Sequence, residues 1–203
     1  MLLKSFYKTS KENVIFETDT SFADDSFELE KYYNRITINI YDVDEDDFSG
    51  DFEEEDLDLV AIIEAILFNY DLIEEDGEDV IDVADSIEAD VYSNIYELRN
   101  SKYFDEDDIY IGDICSLERF YIAPKYRLRG VGKYLMENLC DILKYHSNIE
   151  VGYIVTFIKP MDYTDEKWVD VKNSKDMKKI MVDFYKKNGF KRIRKSNYFV
   201  YKN

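Results

Sequence analysis

The chain of 203 residues is 45% hydrophobic and 16% aromatic, enough to bury the core of one domain despite 35% charged residues. Two cysteines, Cys115 and Cys140, and a single histidine, His146, exclude a disulfide framework and the common Cys/His zinc sites, so no metal is expected. The net charge of -19 divides unevenly: residues 1–110 hold 34 Asp and Glu against 7 Lys and Arg, whereas residues 111–203 hold 11 against 19. The acidic half repels polyanions, so no nucleic-acid partner is expected, while the basic half can attract a compact anion. No apolar run approaches the ~18 residues needed to cross a bilayer. Met1–Tyr7 is too short for the apolar region of a signal peptide, and the expectation is a soluble, cytoplasmic protein with no membrane partner.

In chain order, Val14–Phe16 and Arg35–Val43 read as strands, the second half-buried because isoleucines recur at 36, 38 and 40. Residues Asp44–Asp58 are almost continuously acidic and are expected to form a mobile, solvated loop, able to steer a cation at low salt. The apolar run Leu59–Tyr70, interrupted by Glu64, reads as a central strand. Apolar residues at 80, 84, 87, 91, 95 and 98 mark one face of a single helix. A strand over Ile109–Ile122 stops at Ala123-Pro124, because proline removes a ladder donor.

A helix over Val131 to about His146 follows, then a strand over Val151–Ile158, a polar segment containing Trp168, and a last helix marked by Met177, Ile180, Met181 and Phe184. Asn188-Gly189 closes that helix, and Tyr198–Tyr201 ends the chain as a strand. The order of elements is that of a mixed α/β layer arrangement.

The chemistry-bearing segment is Arg127-x-x-Gly130-x-Gly132, between a strand and a helix. Free backbone N–H groups at a helix start, with glycines permitting close approach, form an anion site that the helix dipole reinforces. Lys125, Arg127, Arg129 and Lys133 surround it. Tyr134 stands where a Walker loop needs Ser or Thr, and Leu135 stands where a dinucleotide fingerprint needs a third small residue.

The run Leu117-Glu118-Arg119-Phe120-Tyr121-Ile122-Ala123-Pro124-Lys125-Tyr126-Arg127-Leu128-Arg129-Gly130-Val131-Gly132-Lys133-Tyr134-Leu135 resembles the cofactor motif of the GNAT family of acetyl-CoA-dependent N-acetyltransferases. Phe184-Tyr185-Lys186-Lys187-Asn188-Gly189-Phe190 resembles that family's last helix and the turn after it. The resemblance covers residues 111–203; over 1–110 it is architectural. It implies an α/β (α+β) fold with a mixed, mostly antiparallel central sheet flanked by helices. It also implies one domain over 1–203, in which residues 1–110 face the acceptor and residues 111–203 bind acetyl-CoA.

By the same resemblance Arg127, Arg129, Gly130, Val131, Gly132 and Lys133 hold the pyrophosphate. Phe120, Tyr121 and Ile122 pair with the pantetheine arm, and Tyr185 protonates the departing thiolate. Lys178 stands where the family often has an asparagine.

Acetyl transfer to nitrogen needs a neutral amine, and amines of pKa near ~10 are mostly protonated at neutral pH, so a base is expected. Glu118, on the motif strand, and Glu64, within an apolar strand, are the candidate carboxylates. The charge map favours a cationic acceptor, a small-molecule or peptide amine attacked directly in a ternary complex. The competing reading is a silent GNAT-like binding module whose acidic half docks a basic protein. A homodimer stays open. The bland readings are a helix entry whose glycines relieve crowding, a core aromatic at Tyr185, buried apolar cysteines, and His146 favoured by the dipole at a helix end.

Overall fold

Isoleucine at every second position leaves Ile36, Ile38 and Ile40 at most 1% exposed, the signature of a strand with one buried face. The structure, a computed structural model, describes residues 2–8, 13–21, 29–42, 57–105, 112–171 and 174–203. The isoleucines lie on β3 (Tyr33–Asp42), which follows β1 (Leu2–Lys8) and β2 (Asn13–Ser21). The strand expected at 14–16 lies within β2, and most of the acidic segment 44–58 lies outside the described residues.

The next apolar run forms β4 (Asp58–Phe68), buried along most of its length because helices cover both faces of the sheet. It ends two residues earlier than its composition predicts. The side chain of Asn69 accepts from Leu72 N at 3.1 Å and starts α1 (Tyr70–Glu75), so Tyr70 is helical.

The single helix expected from position 80 is two, α2 (Val80–Asp85) and α3 (Ala89–Arg99). Ser86 caps α2 by donating to Val83 O at 2.7 Å, and Glu88 is extended at φ -167°, ψ 157°. The apolar spacing runs across this break because both helices pack on the same cluster with Ile73, Ile114 and Tyr153.

β5 (Asp113–Ile122) begins after Gly112, whose φ of +63° and close approach to Glu150 O and Gly152 leave no room for a side chain. The expected start at Ile109 lies outside the described residues. The helix expected over 131–146 is bent at Asn138 into α4 (Val131–Glu137) and α5 (Leu139–Ser147). His146 lies in the last turn as expected, but it is buried, and desolvation holds its pKa below the usual value, opposite to the effect of the helix dipole.

β6 (Val151–Phe157) is followed by a hairpin that the polar composition did not announce, β7 (Met161–Thr164) and β8 (Lys167–Asp170). Its turn residues Asp165 and Glu166 both have positive φ without a glycine to signal it. α6 (Lys175–Lys187), β9 (Lys191–Arg192) and β10 (Tyr198–Lys202) complete the chain, with Gly189 left-handed at φ +88° after α6.

Among the described residues one eight-stranded sheet runs in the order β1-β2-β3-β4-β5-β6-β10-β9, and β7-β8 forms a separate pair. Every neighbouring pair is antiparallel except β5–β6. One face packs α4, α5 and α6 around Leu117, Leu135, Leu143, Tyr185 and Phe199, and the other packs α1, α2 and α3 around Phe68, Ile73, Val91, Ile95 and Val155. No helix among the described residues is long and apolar enough to cross a membrane.

Candidate functional site

The only parallel ladder among the described residues is short. β5 and β6 pair from Asp113/Val151 to Ser116/Val155 and then diverge, while β5 stays paired with β4 as far as Ile122. The edge of β5 from Leu117 to Ile122 therefore faces a groove instead of a strand. The Ala123 N–H bonds Val60 O at 2.9 Å, which fixes the phase of the β4–β5 ladder: Tyr121 exchanges backbone bonds with Ile62. The backbones of Phe120 and Ile122 consequently turn to the groove. Arg127 Nε donates to Ile122 O at 2.8 Å, on that open side.

A β-bulge sits at the same place. Arg119 lies opposite Glu64 and Leu117 opposite Ala65, so Glu118 is an extra residue without a cross-strand partner. The bulge moves the α6-side face of β5 from odd to even numbers: Cys115 and Leu117 pack there before it, Phe120 and Ile122 after it. Ser116, Glu118, Arg119 and Tyr121 are left on the α3 side. Two adjacent charged residues inside an apolar strand are the sequence trace of this switch.

Glu118 and Arg119 form a shared wall of three cavities. One of about 260 Å³ lies between them and Arg35, Thr37, Glu64, Glu88 and Asp90. A second of about 120 Å³ reaches Asn94, Lys159 and Tyr198. The third, about 30 Å³, is the groove where the strands diverge, bounded by Phe120, Tyr121, Thr156, Trp168, Met181 and Tyr185. Glu118 Oε1 accepts from Asn94 Nδ2 at 3.1 Å and from the Ser116 hydroxyl, and Asn94 also donates to Ser116 Oγ at 2.9 Å. Burial raises the pKa of Glu118, and the bonds from Ser116 and Asn94 oppose the rise without cancelling it.

Glu64, the other candidate carboxylate, also faces the large cavity, where its Oε1 accepts from Trp168 Nε1 at 2.8 Å.

At the far end of the groove, Gly130 caps α4 in a left-handed conformation, φ +91°, with nothing within 4 Å of where a Cβ would stand. Leu128 is also left-handed, at φ 62°, and fully exposed. The first helical bond runs from Tyr134 N to Gly130 O at 3.0 Å, so the amides of Val131, Gly132 and Lys133 have no partner within the helix. Arg129 and Lys133 are exposed beside this open end. Arg127 is engaged by Ile122 O, to which its Nε donates, and by Asp162 at 3.3 Å. Gly132 has a second role in packing, since a Cβ there would touch Ile122 at 3.4 Å and Phe184 at 3.5 Å.

The family model for the acetyltransferase (GNAT) domain matches residues 73–192, more than half of the chain and the stretch that contains the bulge, the diverging strands and the glycine loop. The chain belongs to the GNAT family. Its general class is therefore acetyltransferase. No curated protein matches this GNAT chain. Among solved structures, the crystal structure of the KacTA–DNA complex is similar at 11% identity and a TM-score of 0.38, over 100% of this chain and 93% of that one, too distant to bear on function.

Within this GNAT domain Tyr185 stands at the floor of the groove, 4% exposed, among Phe184, Phe190 and Phe199. Burial pushes its pKa up to about 12, although a side-chain hydrogen bond with Thr156 acts the other way. The aromatic packing expected on the bland reading is thus present, and the same ring also faces the groove.

Asn94, Ser116, Arg119 and Trp168 were not singled out from the sequence. Trp168 packs its edge against Tyr121 and Tyr163, at ring separations of 5.9 and 5.0 Å, and Arg119 lies 5.7 Å from its ring. Being the only tryptophan of the chain was its one signal. Asn94 occupies a buried position on the inner face of α3, where the apolar spacing alone predicts a hydrophobic residue.

Proposed function

We propose that this GNAT domain transfers an acetyl group from acetyl-CoA to a primary amine, by direct attack within a ternary complex. The observation that carries the reading is the open edge of β5, which leads from the glycine loop to Glu118 and Tyr185. An extended pantetheine arm fits such an edge as an added strand, bonding to the backbone of Phe120 and Ile122, with Tyr121 forming the wall behind. The amides of Val131, Gly132 and Lys133 and the side chains of Arg129 and Lys133 suit a diphosphate, and Gly130 supplies the turn that presents them. Arg127 shapes this loop through Ile122 and Asp162. The donor supplies a thioester carbonyl for the amine to attack.

Glu118 is the base in this reading. Its raised pKa lets it take a proton from an incoming ammonium while Asn94 and Ser116 hold its carboxyl in place. Tyr185 keeps its proton at all physiological pH and donates a hydrogen bond to the developing thiolate. Glu64, engaged by Trp168, positions the hairpin and adds negative charge to the acceptor side. Four carboxylates, Glu64, Glu88, Asp90 and Glu118, line the large cavity against Arg35 and Arg119, which favours a cationic small-molecule or peptide amine.

Two measurements test the proposal together: the melting temperature with acetyl-CoA, and thiol release from acetyl-CoA with a panel of polyamines, aminosugars and lysine peptides. A raised Tm and amine-dependent thiol release are expected. No Tm shift overturns the reading. A Tm shift with background thiol release across the panel replaces it with a binding module for a basic protein.

A further inference from the structure

We propose that Trp168 sets the size of the acyl group this site accepts, admitting acetyl and refusing longer chains; the proposal rests on the acetyl-CoA reading of the groove. Where β5 and β6 diverge, the space open to the centre of a water molecule is about 30 Å³, two to three times the ~10–15 Å³ that one water needs on the same measure. That is a narrow groove, with room for a short acyl group before its end meets the walls. The walls differ in how readily they yield. Met181 is unbranched and adapts. Tyr185 is wedged among three phenylalanine rings, and Phe120 stacks on Phe184 at 5.9 Å.

Trp168 closes the remaining side and is held from several directions. Its indole N–H bonds Glu64 at 2.8 Å, its edge meets Tyr121 and Tyr163, and the Arg119 guanidinium lies against its ring. The hairpin that carries it is tied back by Arg127 to Asp162 and by Lys159 to Asp170 at 2.8 Å. An acyl chain longer by two methylenes has to displace the indole and break its bond to Glu64. With the indole gone, the groove joins the 260 Å³ cavity that Glu64 lines, and a longer chain finds space there.

The test is isothermal titration of free coenzyme A, acetyl-CoA, butyryl-CoA and hexanoyl-CoA into the wild-type protein and into Trp168→Ala and Trp168→Phe. The wild type is expected to bind acetyl-CoA at least about tenfold more tightly than butyryl-CoA, the loss of one charge-assisted hydrogen bond. Trp168→Ala should abolish that difference, and Trp168→Phe, which keeps most of the bulk but has no N–H for Glu64, should show a smaller one. Equal affinity of the wild type for all three acyl donors overturns the proposal, as does a preference unchanged in Trp168→Ala. Should the alanine variant not fold, the wild-type and phenylalanine series still decide. Free coenzyme A separates the two levels: if it does not bind the wild type, the acetyl-CoA reading itself fails, whereas binding without length discrimination removes only the role of Trp168.

Discussion

Asn94 on α3 donates its amide to the carboxylate of Glu118 on β5 at 3.1 Å, joining that helix to the bulge of the central sheet. This bond lowers the pKa that burial raises. Replacing Asn94 by Leu removes a donor from the ionised form, so the pKa of Glu118 should climb further. A base must be deprotonated to act, and the acid limb of kcat/KM should move to higher pH by up to about one unit. Stability should fall by about 1–3 kcal/mol, since Asn94 is buried. A pH–rate profile superimposable on the wild type would remove Glu118 as the base.

Tyr185→Phe should lower kcat by about tenfold or more with little change in acetyl-CoA affinity, because only the departing thiolate uses the hydroxyl. Since the pKa of Tyr185 lies near 12, no alkaline limb below pH 10 should be traceable to it in the wild type. Stability should drop by about 1 kcal/mol from the lost bond to Thr156. Single-turnover kinetics beside a titration of acetyl-CoA would check both halves, and an unaltered kcat would return Tyr185 to a packing role.

At the glycine loop two substitutions separate conformation from charge. Gly130→Ala places a side chain at φ +91° and should cost about 1–2 kcal/mol although nothing crowds the site. Gly132→Glu keeps an ordinary φ and puts an acid in the first turn of α4, where the dipole favours it. Its charge and bulk should nevertheless abolish coenzyme A binding while the circular dichroism spectrum stays that of the wild type. Retained affinity in Gly132→Glu would count against the phosphate site.

Asp113, at the start of β5, accepts from Tyr70 N at 2.8 Å, and burial raises its pKa to about 6. A carboxyl whose folded pKa lies above its unfolded value of ~3.9 costs stability as pH rises from about 4 to 6, and the cost persists above that. Asp113→Asn, neutral at every pH and still able to accept from Tyr70, should raise Tm at pH 7.5 and lose the advantage near pH 4. Partial contact with solvent reduces the effect to ~1 kcal/mol, or about 2–4 °C in a chain of this length. Thermal melts of both proteins across that range measure it, and a gain that is the same at pH 4 and pH 7.5 would exclude this origin.

The features of the fold written into local chemistry were legible. Gly130 and Gly189 mark positions of positive φ, Ile36, Ile38 and Ile40 mark a buried face, and β5, β6, α6 and β10 fall where the sequence places them. The elements set by tertiary contact were not. The break between α2 and α3 hides because Val80, Val83, Val91 and Ile95 serve one core on both sides of it. The β7-β8 hairpin lacks a glycine turn, and its support comes from Glu64, which lies 104 residues from Trp168 in sequence. Of the candidate site, Glu118 and Tyr185 were named from residue type and motif, whereas Asn94 and Ser116 meet Glu118 through one bulge whose geometry no spacing rule supplies.

The surplus residue at position 118 also shapes how this strand can change. Removing Glu118 from the chain would restore strict alternation from Cys115 onward with Phe120 and Ile122 still beside α6 and Tyr121 still on the α3 side. Straightening the strand with Glu118 kept would instead hand Tyr121 the place that Phe120 and Ile122 now share. The carboxylate is an insertion that the bulge absorbs, so it can be lost without reframing the rest of β5.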